Sequence, residues 1–204
     1  MSIKAIAFDY GGVIVGTPSS EFNKRMCSII GISEEEFLTE YYKINYRLNK
    51  EGLSFKELFT DLLVILGKED KHDEVMSFLD PLFAKDKDIN TPVVDLIKKL
   101  RLLGYKTAIL SNNTLENAKR IHAEFDMYFD VTLVSIEIGA QKPEPEAFEK
   151  LFAALGVLPE ETIFVDDSPK SLSTASDIGY HPILFTTFES LLDQLRELGV
   201  CFDG

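Results

Sequence analysis

An apolar run that ends in an aspartate and two glycines stands near the start of the chain, in the stretch IKAIAFDYGGV at residues 3–13. The run is long enough for a strand buried on both faces of a sheet and too short for an independent helix. We therefore expect Asp9 at the carboxyl end of that strand, the edge where open parallel sheets bind ligands. Gly11 and Gly12 allow a sharp turn and a close approach to a ligand. Taken alone, an aspartate that only begins a turn is the commoner interpretation, so the rest of the chain decides its role.

Strand and helix patterns alternate along the second part of the chain. The predicted strands lie at 106–110, 131–135, 161–165 and 182–185, and the predicted helices at about 91–103, 114–125, 145–155, 169–178 and 188–198. This alternation predicts a parallel sheet with right-handed crossovers, and the strand that ends at Asp9 belongs to the same sheet. The predicted fold class is therefore α/β.

Residues 19–87 carry a helical pattern in which no strand alternates with the helices. Ser33 with Glu36, and Ser54 with Glu57, have the spacing of a capping box that opens a helix. Four helices are predicted, at about 20–30, 34–49, 54–66 and 71–85. The chain thus divides into a discontinuous core at 1–14 and 88–204 and a small all-helical cap at 15–87. On the second of these helices, the side chains expected to pack or to face solvent are Tyr41, Tyr42, Tyr46 and Arg47.

The net charge and the cysteines indicate which classes of partner and which cellular location to expect. The 204 residues carry a formal net charge of −13, which disfavours nucleic acid and an anionic membrane surface as partners. No apolar stretch approaches the about 20 residues needed to span a bilayer, and Asp9 interrupts the N-terminal run, so it is no signal peptide. Cys27 and Cys201 have no ligand or redox spacing. They predict a reducing, cytoplasmic location.

Polar side chains follow four of the predicted strands at one edge of the sheet. They are Asp9 after the first strand, Ser111, Asn112 and Asn113 after the second, Lys142 in the loop after the third, and Asp166, Asp167 and Ser168 after the fourth. Three carboxylates, a lysine and small polar donors together predict an anion and metal site. Like charges on one rim repel unless a cation lies between them, and carboxylates suit Mg²⁺.

Each of these groups has a chemical role to offer. Asp9 can act as a carboxylate nucleophile in phosphoryl transfer, a reaction that depends mainly on positioning and charge neutralisation. Ser111, where a strand enters a helix, can hold phosphate oxygens, and Lys142 can supply a positive charge. Asn113 with Glu116 has the spacing of a capping box, so we expect Asn113 to be a helix N-cap.

The order of these motifs resembles that of the haloacid dehalogenase-like hydrolase superfamily. The chain has Asp-x-Gly-Gly-Val at 9–13, Ser-Asn-Asn at 111–113, Lys-Pro-x-Pro at 142–145 and Val-Asp-Asp-Ser at 165–168. The resemblance covers the whole core. It implies a Rossmann-like sheet in which the strands of the first and fourth motifs are adjacent, with a helical cap that selects the substrate and excludes water.

The resemblance also implies a set of site residues. The implied Mg²⁺ ligands are the side chains of Asp9 and Asp167, the backbone carbonyl of Gly11, and Asp166 either directly or through water. The predicted catalytic residues are Asp9, Ser111 and Lys142, and the predicted substrate-binding residues are Gly12, Ser111, Asn112 and Lys142.

One position departs from the family pattern. Phosphatases of this family usually carry a second aspartate two residues after the nucleophile, as acid and base, and this chain has Gly11 there. Because such help is typically worth about 10² to 10⁴ in rate, its absence predicts slow turnover or a substitute proton carrier. The segment Phe-Asp-x-Gly-Gly-Val is similar to that of a subgroup near the phosphatase domain of epoxide hydrolases and certain sugar-phosphate phosphatases.

The predicted function is Mg²⁺-dependent hydrolysis of a small phosphorylated metabolite, such as a sugar phosphate, through an aspartyl-phosphate intermediate. Two alternatives stay open. A non-catalytic binding or regulatory protein with this fold is favoured by Gly11. A 2-haloacid dehalogenase is the other, although that branch places a tyrosine two residues after the nucleophile and this chain has Tyr10 one residue after it. The sequence predicts neither the exact substrate nor the oligomeric state.

Overall fold

A five-stranded parallel sheet forms the centre of the molecule. The computed structural model describes residues 2–16, 19–83 and 88–202. The strands are β1 Ala5–Phe8, β2 Lys106–Ser111, β3 Val131–Val134, β4 Thr162–Asp166 and β5 His181–Leu184. Their order is β3-β2-β1-β4-β5, with every neighbouring pair parallel. The α/β prediction is confirmed, and β1 and β4, which carry the first and fourth motifs, are adjacent.

Eleven α-helices lie in the described part of the chain. They are α1 Ser19–Ile30, α2 Glu34–Ile44, α3 Tyr46–Glu51, α4 Phe55–Leu66, α5 His72–Leu79, α6 Thr91–Leu102, α7 Leu115–Phe125, α8 Ser135–Ile138, α9 Pro145–Leu155, α10 Ala175–Ile178 and α11 Phe188–Glu197. Within this part of the molecule, every helix is too short or too polar to cross a membrane.

Strand β1 is buried on both faces, as its apolar run predicts. Ile6 and Phe8 belong to the hydrophobic cluster that α6, α7 and α11 complete on one face. Ala5 and Ala7 belong to the cluster that α9 and α10 complete on the other face. Successive side chains of a strand point to opposite faces, so β1 contributes to both clusters. Asp9 directly follows the last residue of β1 and therefore lies at the carboxyl edge of the sheet.

Helices α1, α2, α4 and α5 surround a hydrophobic cluster of their own. Its fully buried members include Met26, Phe37, Phe59, Leu62 and Val75. Ser54 and Glu57 form the predicted capping box at the start of α4, and Gly67 ends that helix in the left-handed conformation. The domain division predicted from the sequence stays a prediction, and its ends at residues 1, 87 and 204 lie outside the described residues.

Three predicted helices differ from the structure. The helix predicted at 34–49 divides at Asn45, where the Leu48 N–H bonds back only three residues and α3 packs against α8. The helix predicted at 71–85 ends at Leu79 because Pro81 follows, and its predicted end lies outside the described residues. The helix predicted at 169–178 contracts to α10, since residues 168–175 form successive turns that are closed by hydrogen bonds between residues three positions apart. Serine-rich segments favour such turns.

Candidate active site

Lys142 joins the two strand ends that carry Asp9 and Asp166. Its Nζ lies 2.7 Å from Asp9 Oδ1 and 2.6 Å from Asp166 Oδ2. The side chain of Lys142 is 2% exposed and that of Asp166 is fully buried. Burial alone would lower the pKa of Lys142, but Asp166 and Asp9 raise it above its ordinary value. A charged ammonium therefore lies between the carboxylates of β1 and β4.

Asp9 lies at the mouth of the site. Its backbone N–H donates a 2.8 Å hydrogen bond to the carbonyl of Val165, which fixes the residue against β4. Burial raises the pKa of Asp9 to about 7, while Lys142 acts in the opposite direction and Asp166 and Asp167 add to the increase. The repulsion among the three carboxylates is therefore only partly relieved by the single lysine.

The three carboxylates form a cluster that fits a cation. Asp9, Asp166 and Asp167 each offer an oxygen within 4.8 Å of the others. Both oxygens of Asp166 already accept hydrogen bonds, from Lys142 and from the Ser168 backbone N–H at 2.8 Å. An all-oxygen donor set with excess negative charge suits a hard divalent cation.

The two adjacent glycines after Asp9 have different surroundings. Gly12 has φ +77°, and a Cβ placed on it would lie 2.5 Å from Asp167 Oδ2. A side chain at Gly12 would therefore displace the Asp167 carboxylate. Gly11 has no positive φ, and a Cβ on it would meet no described atom within 4 Å. The structure thus requires glycine at residue 12 and leaves room for a side chain at residue 11.

The Ser-Asn-Asn segment follows β2 beside this cluster. Ser111 is buried at the end of the strand, and its Oγ accepts a 3.4 Å hydrogen bond from Asn113 Nδ2. The Asn112 amide forms two hydrogen bonds with the Lys142 backbone, of 2.9 Å to its carbonyl and 2.8 Å from its N–H. Asn112 therefore fixes the backbone from which the lysine extends.

The N-cap predicted at Asn113 is wrong. Helix α7 is capped by Thr114, whose Oγ1 accepts a 3.3 Å hydrogen bond from the Asn117 backbone N–H. The Asn113 side chain instead accepts a 2.7 Å hydrogen bond from Asn117 Nδ2. Both residues carry side chains that can cap a helix, and the contact of Asn113 with a side chain four positions further on decides between them.

A cavity of about 480 Å³ lies above the carboxylate cluster. Asp9, Ser111 and Lys142 line its floor, and residues of α1 to α5 with the segments between them line the opposite wall. Tyr41 and Tyr42, which the sequence predicts to pack or to face solvent, also belong to that wall. One side of the cavity is thus charged, and the other side is built from rings, aliphatic groups and amides.

The motif order, the strand order and the carboxylate cluster point to one family. A family model described as haloacid dehalogenase-like hydrolase matches residues 3–179. The chain belongs to the haloacid dehalogenase-like hydrolase family. The resemblance inferred from the four motifs is therefore confirmed.

Two curated relatives and one solved structure illustrate this membership. A D-ribitol-5-phosphate phosphatase from Bacteroides thetaiotaomicron is 28% identical over 214 residues, which cover 99% of this chain and 100% of the relative. Bifunctional epoxide hydrolase 2 from Rattus norvegicus is 29% identical over 118 residues, which cover 55% of this chain and 21% of that protein. The chain thus spans about a fifth of the length of that relative. A family enzyme from B. thetaiotaomicron, crystallised as an aspartate-to-alanine variant with magnesium and inorganic phosphate, is 25% identical, with a TM-score of 0.59 and coverage of 93% and 99%.

Helix α3 of this haloacid dehalogenase-like hydrolase brings residues to the site that sequence reasoning missed. Asn49 donates from Nδ2 to Gln141 Oε1 at 2.8 Å, and its carbonyl accepts a 2.8 Å hydrogen bond from Ser135 Oγ. Gln141 directly precedes Lys142. The available signal was Asn49, a polar residue at a helical position where the pattern expects an apolar one. Helical periodicity does not show which distant residue such a side chain contacts.

Proposed function

We propose that the chain is a Mg²⁺-dependent phosphatase that hydrolyses a small phosphorylated metabolite through an aspartyl-phosphate at Asp9. The observation that carries the proposal is the placement of Asp9 at the cavity floor, 2.7 Å from a buried lysine and beside two further carboxylates. The relative named as a D-ribitol-5-phosphate phosphatase supports a sugar phosphate or sugar-alcohol phosphate as a substrate.

The proposed metal site uses this chain's oxygen ligands. Asp9 and Asp167 would hold Mg²⁺ by their side chains and Gly11 by its backbone carbonyl, with Asp166 as a ligand directly or through water. When bound, Mg²⁺ supplies positive charge that offsets the charge of the phosphate oxygens. The related enzyme crystallised with magnesium and inorganic phosphate supports this choice of cation.

The proposed reaction has two displacements at phosphorus. In the first, an Asp9 carboxylate oxygen attacks phosphorus, the bond from phosphorus to the ester oxygen breaks, and the leaving alcohol takes a proton from water. In the second, water attacks the phosphorus of the aspartyl-phosphate, and the bond from phosphorus to the Asp9 oxygen breaks, which restores the carboxylate. The proton that the attacking water loses neutralises the hydroxide left by the first step, and inorganic phosphate leaves. Lys142 and Ser111 hold the phosphoryl oxygens as charge shifts between them.

Gly12 and Asn112, the remaining predicted residues, support this chemistry by holding other groups of the site in place. Gly12 gives the Asp167 carboxylate its space. Asn112 holds the backbone of Lys142 in place through its two hydrogen bonds, and the backbone of residues 12 and 112 is proposed to approach the substrate. We assign residues 15–87 the role of a cap domain over the core at 1–14 and 88–204, which excludes water from the cavity.

Dehalogenation has less support. The ring of Tyr10 packs edge-on against Phe125, with 5.6 Å between ring centroids, and the side chain is 1% exposed. A tyrosine in this position faces the core below the sheet edge. It cannot replace a tyrosine two residues after the nucleophile without a change in the backbone.

Phosphate release from an aryl phosphate, sugar phosphates and nucleotides, measured with Mg²⁺ and with a chelator, tests the proposal. We expect turnover that the chelator abolishes and that Asp9→Asn lowers by at least about a thousandfold, since the nucleophile is lost. Asp95→Asn is the matched control, because Asp95 pairs with Lys98 on the surface of α6. Absence of turnover in folded protein that binds Mg²⁺ would contradict the proposal and favour the non-catalytic alternative.

A further inference from the structure

Asn45 is a buried polar residue whose side chain the fold leaves unpaired. It is 7% exposed and lines the active-site cavity. Among the described residues, no partner hydrogen-bonds its side-chain amide. The amide atoms of Asn45 are not sealed in the core but open into the cavity, where water or a ligand completes their hydrogen bonds.

The position of Asn45 in the fold does not account for its chemistry. It lies between α2 and α3, where asparagine commonly caps a helix with its side chain. Here the side chain makes no capping hydrogen bond. The backbone is already satisfied, since the N–H donates to the Tyr41 carbonyl at 2.9 Å and the carbonyl accepts from the N–H groups of Leu48 and Asn49, each at 3.1 Å.

Asn49 provides the contrast on the same cavity wall. It is also buried, at 3% exposed, but its amide donates to Gln141 across the junction with the core. The need to join α3 to the core explains Asn49. No such contact explains Asn45. Its amide N–H groups and its amide oxygen can both form hydrogen bonds with a ligand in the cavity.

The wall around Asn45 is uncharged. Every described residue between positions 19 and 83 that lines the cavity is neutral, and the rings come from Phe22, Phe37, Tyr41, Tyr42 and Phe55. The nearest cations along the chain are engaged in ion pairs: Lys43 with Glu40 at 2.6 Å, Arg47 with Asp61 at 2.6 Å and Lys50 with Glu144 at 2.9 Å. Lys170, an exposed residue of the core, does not line the cavity, although its Nζ lies 5.6 Å from the centroid of the Tyr42 ring. A second anionic group on the substrate would lose its water beside Asn45 without a counter-charge from the residues of this wall.

We propose that Asn45 recognises the alcohol part of the substrate, and that this part is uncharged, bears a hydroxyl or amide group and presents a ring or apolar face. The inference rests on the proposed function, because it assumes that the phosphoryl group lies at Asp9. Asn45 donates to and accepts from the polar group, while the rings of the wall cover the apolar face. A cavity of about 480 Å³ holds an alcohol of nucleoside size.

Matched esters test this selectivity. We would measure kcat/KM of the wild type, Asn45→Leu and Asn45→Ala with phenyl phosphate, adenosine 5′-monophosphate, ribitol 5-phosphate, adenosine 3′,5′-bisphosphate and phosphoglycolate. We expect the wild type to prefer the esters of uncharged polar alcohols over the last two. Both variants should lose about 10- to 100-fold in kcat/KM toward the preferred ester, chiefly through KM, because a hydrogen-bonded group is left unpaired. Phenyl phosphate, which has no group for Asn45, should change by less than about threefold.

Two results would overturn the inference. One is an equal loss for phenyl phosphate and for the preferred ester in variants whose thermal unfolding matches the wild type. The other is a wild-type preference for the bisphosphate or the carboxylated ester. If the wild type hydrolyses none of the esters, the proposed function fails, and calorimetric titration with adenosine and with ribitol decides this inference separately. Binding that Asn45→Leu weakens supports it, and absence of binding, or binding that the variant leaves unchanged, overturns it.

Discussion

Lys50 donates hydrogen bonds to both carboxylate oxygens of Glu144, at 2.9 and 3.1 Å. Glu144 lies two residues after Lys142. Gln141, which directly precedes Lys142, accepts a hydrogen bond from Asn49. Helix α3 therefore contacts the core on both sides of the lysine that holds Asp9 and Asp166. The contacts of α3 therefore link the helical segment α1 to α5, which covers the cavity, to the position of Lys142.

Lys50→Met should lower activity more than stability. The ion pair is about one-third exposed, so its loss should cost only about 0.2–1 kcal/mol in the free energy of unfolding. We expect kcat/KM to fall several-fold, because the loop that carries Lys142 loses a contact. Lys56→Met is the control, since Lys56 pairs with Asp80 away from that loop. An equal loss of activity in both variants, measured by phosphate release, would contradict the link.

Gly11→Asp should increase the rate of phosphate release, by about 10-fold or more, because it restores an acid and base near the leaving group. The backbone at Gly11 accepts a side chain without a positive φ or a contact within 4 Å. Gly12→Ala is the control on the adjacent residue and should lower activity and Mg²⁺ affinity, since its Cβ would meet Asp167. Lower activity of Gly11→Asp with unchanged folding and Mg²⁺ binding would count against this assignment.

Lys142→Met should destabilise the protein strongly in the absence of divalent cations. Removing one partner of a buried ion pair costs about 3–5 kcal/mol, because the remaining charge is left without compensation. Added Mg²⁺ should recover part of this loss and stabilise the variant more than the wild type. Urea unfolding with and without Mg²⁺ measures both effects, with the surface variant Lys98→Met as the control. Equal stabilisation of both proteins by Mg²⁺ would show that the lysine and the cation do not share the carboxylates.

His122 should make stability depend on pH. Its Nδ1 lies 2.9 Å from Asp126 Oδ2 and its Nε2 lies 3.0 Å from Glu137 Oε2. The hydrogen bond with Glu137 raises the pKa of His122, partial burial opposes the increase, and Asp126 adds to it. Because the pKa is higher in the folded state, the stabilisation is complete below the unfolded value of about 6.5 and is lost as pH rises through the folded value.

The expected measurement is the free energy of unfolding of the wild type minus that of His122→Gln. This difference should stay constant below about pH 6.5 and decrease as the pH rises through the raised pKa of His122. Glu137→Gln should flatten the dependence, since Glu137 is the main cause of the shift. A difference that does not change with pH would contradict a raised pKa of His122 in the folded state.

Local patterns predicted much of the fold correctly. The apolar run before Asp9 forms β1, and Ser54 with Glu57 forms a capping box. Such signals lie within one turn or one strand, so they survive in the folded chain. The errors lie where two local signals compete or where a tertiary contact outweighs the local signal. Asn113 gives its side chain to Asn117 and leaves the capping of α7 to Thr114, and the predicted helix 34–49 divides at Asn45 where α3 meets α8.

The amino-acid sequence by itself determined the parallel sheet and the gathering of polar residues at one edge, because parallel strands bring all their carboxyl ends to the same side. Only the tertiary structure decided which of these groups touch. Lys142 and Asp9 are 133 positions apart in the chain and lie 2.7 Å apart in the fold. Likewise, the crowding of Gly12 by Asp167 and the unpaired amide of Asn45 in the cavity depend on elements distant in sequence. No local periodicity specifies such contacts, since they depend on how buried surfaces pack together.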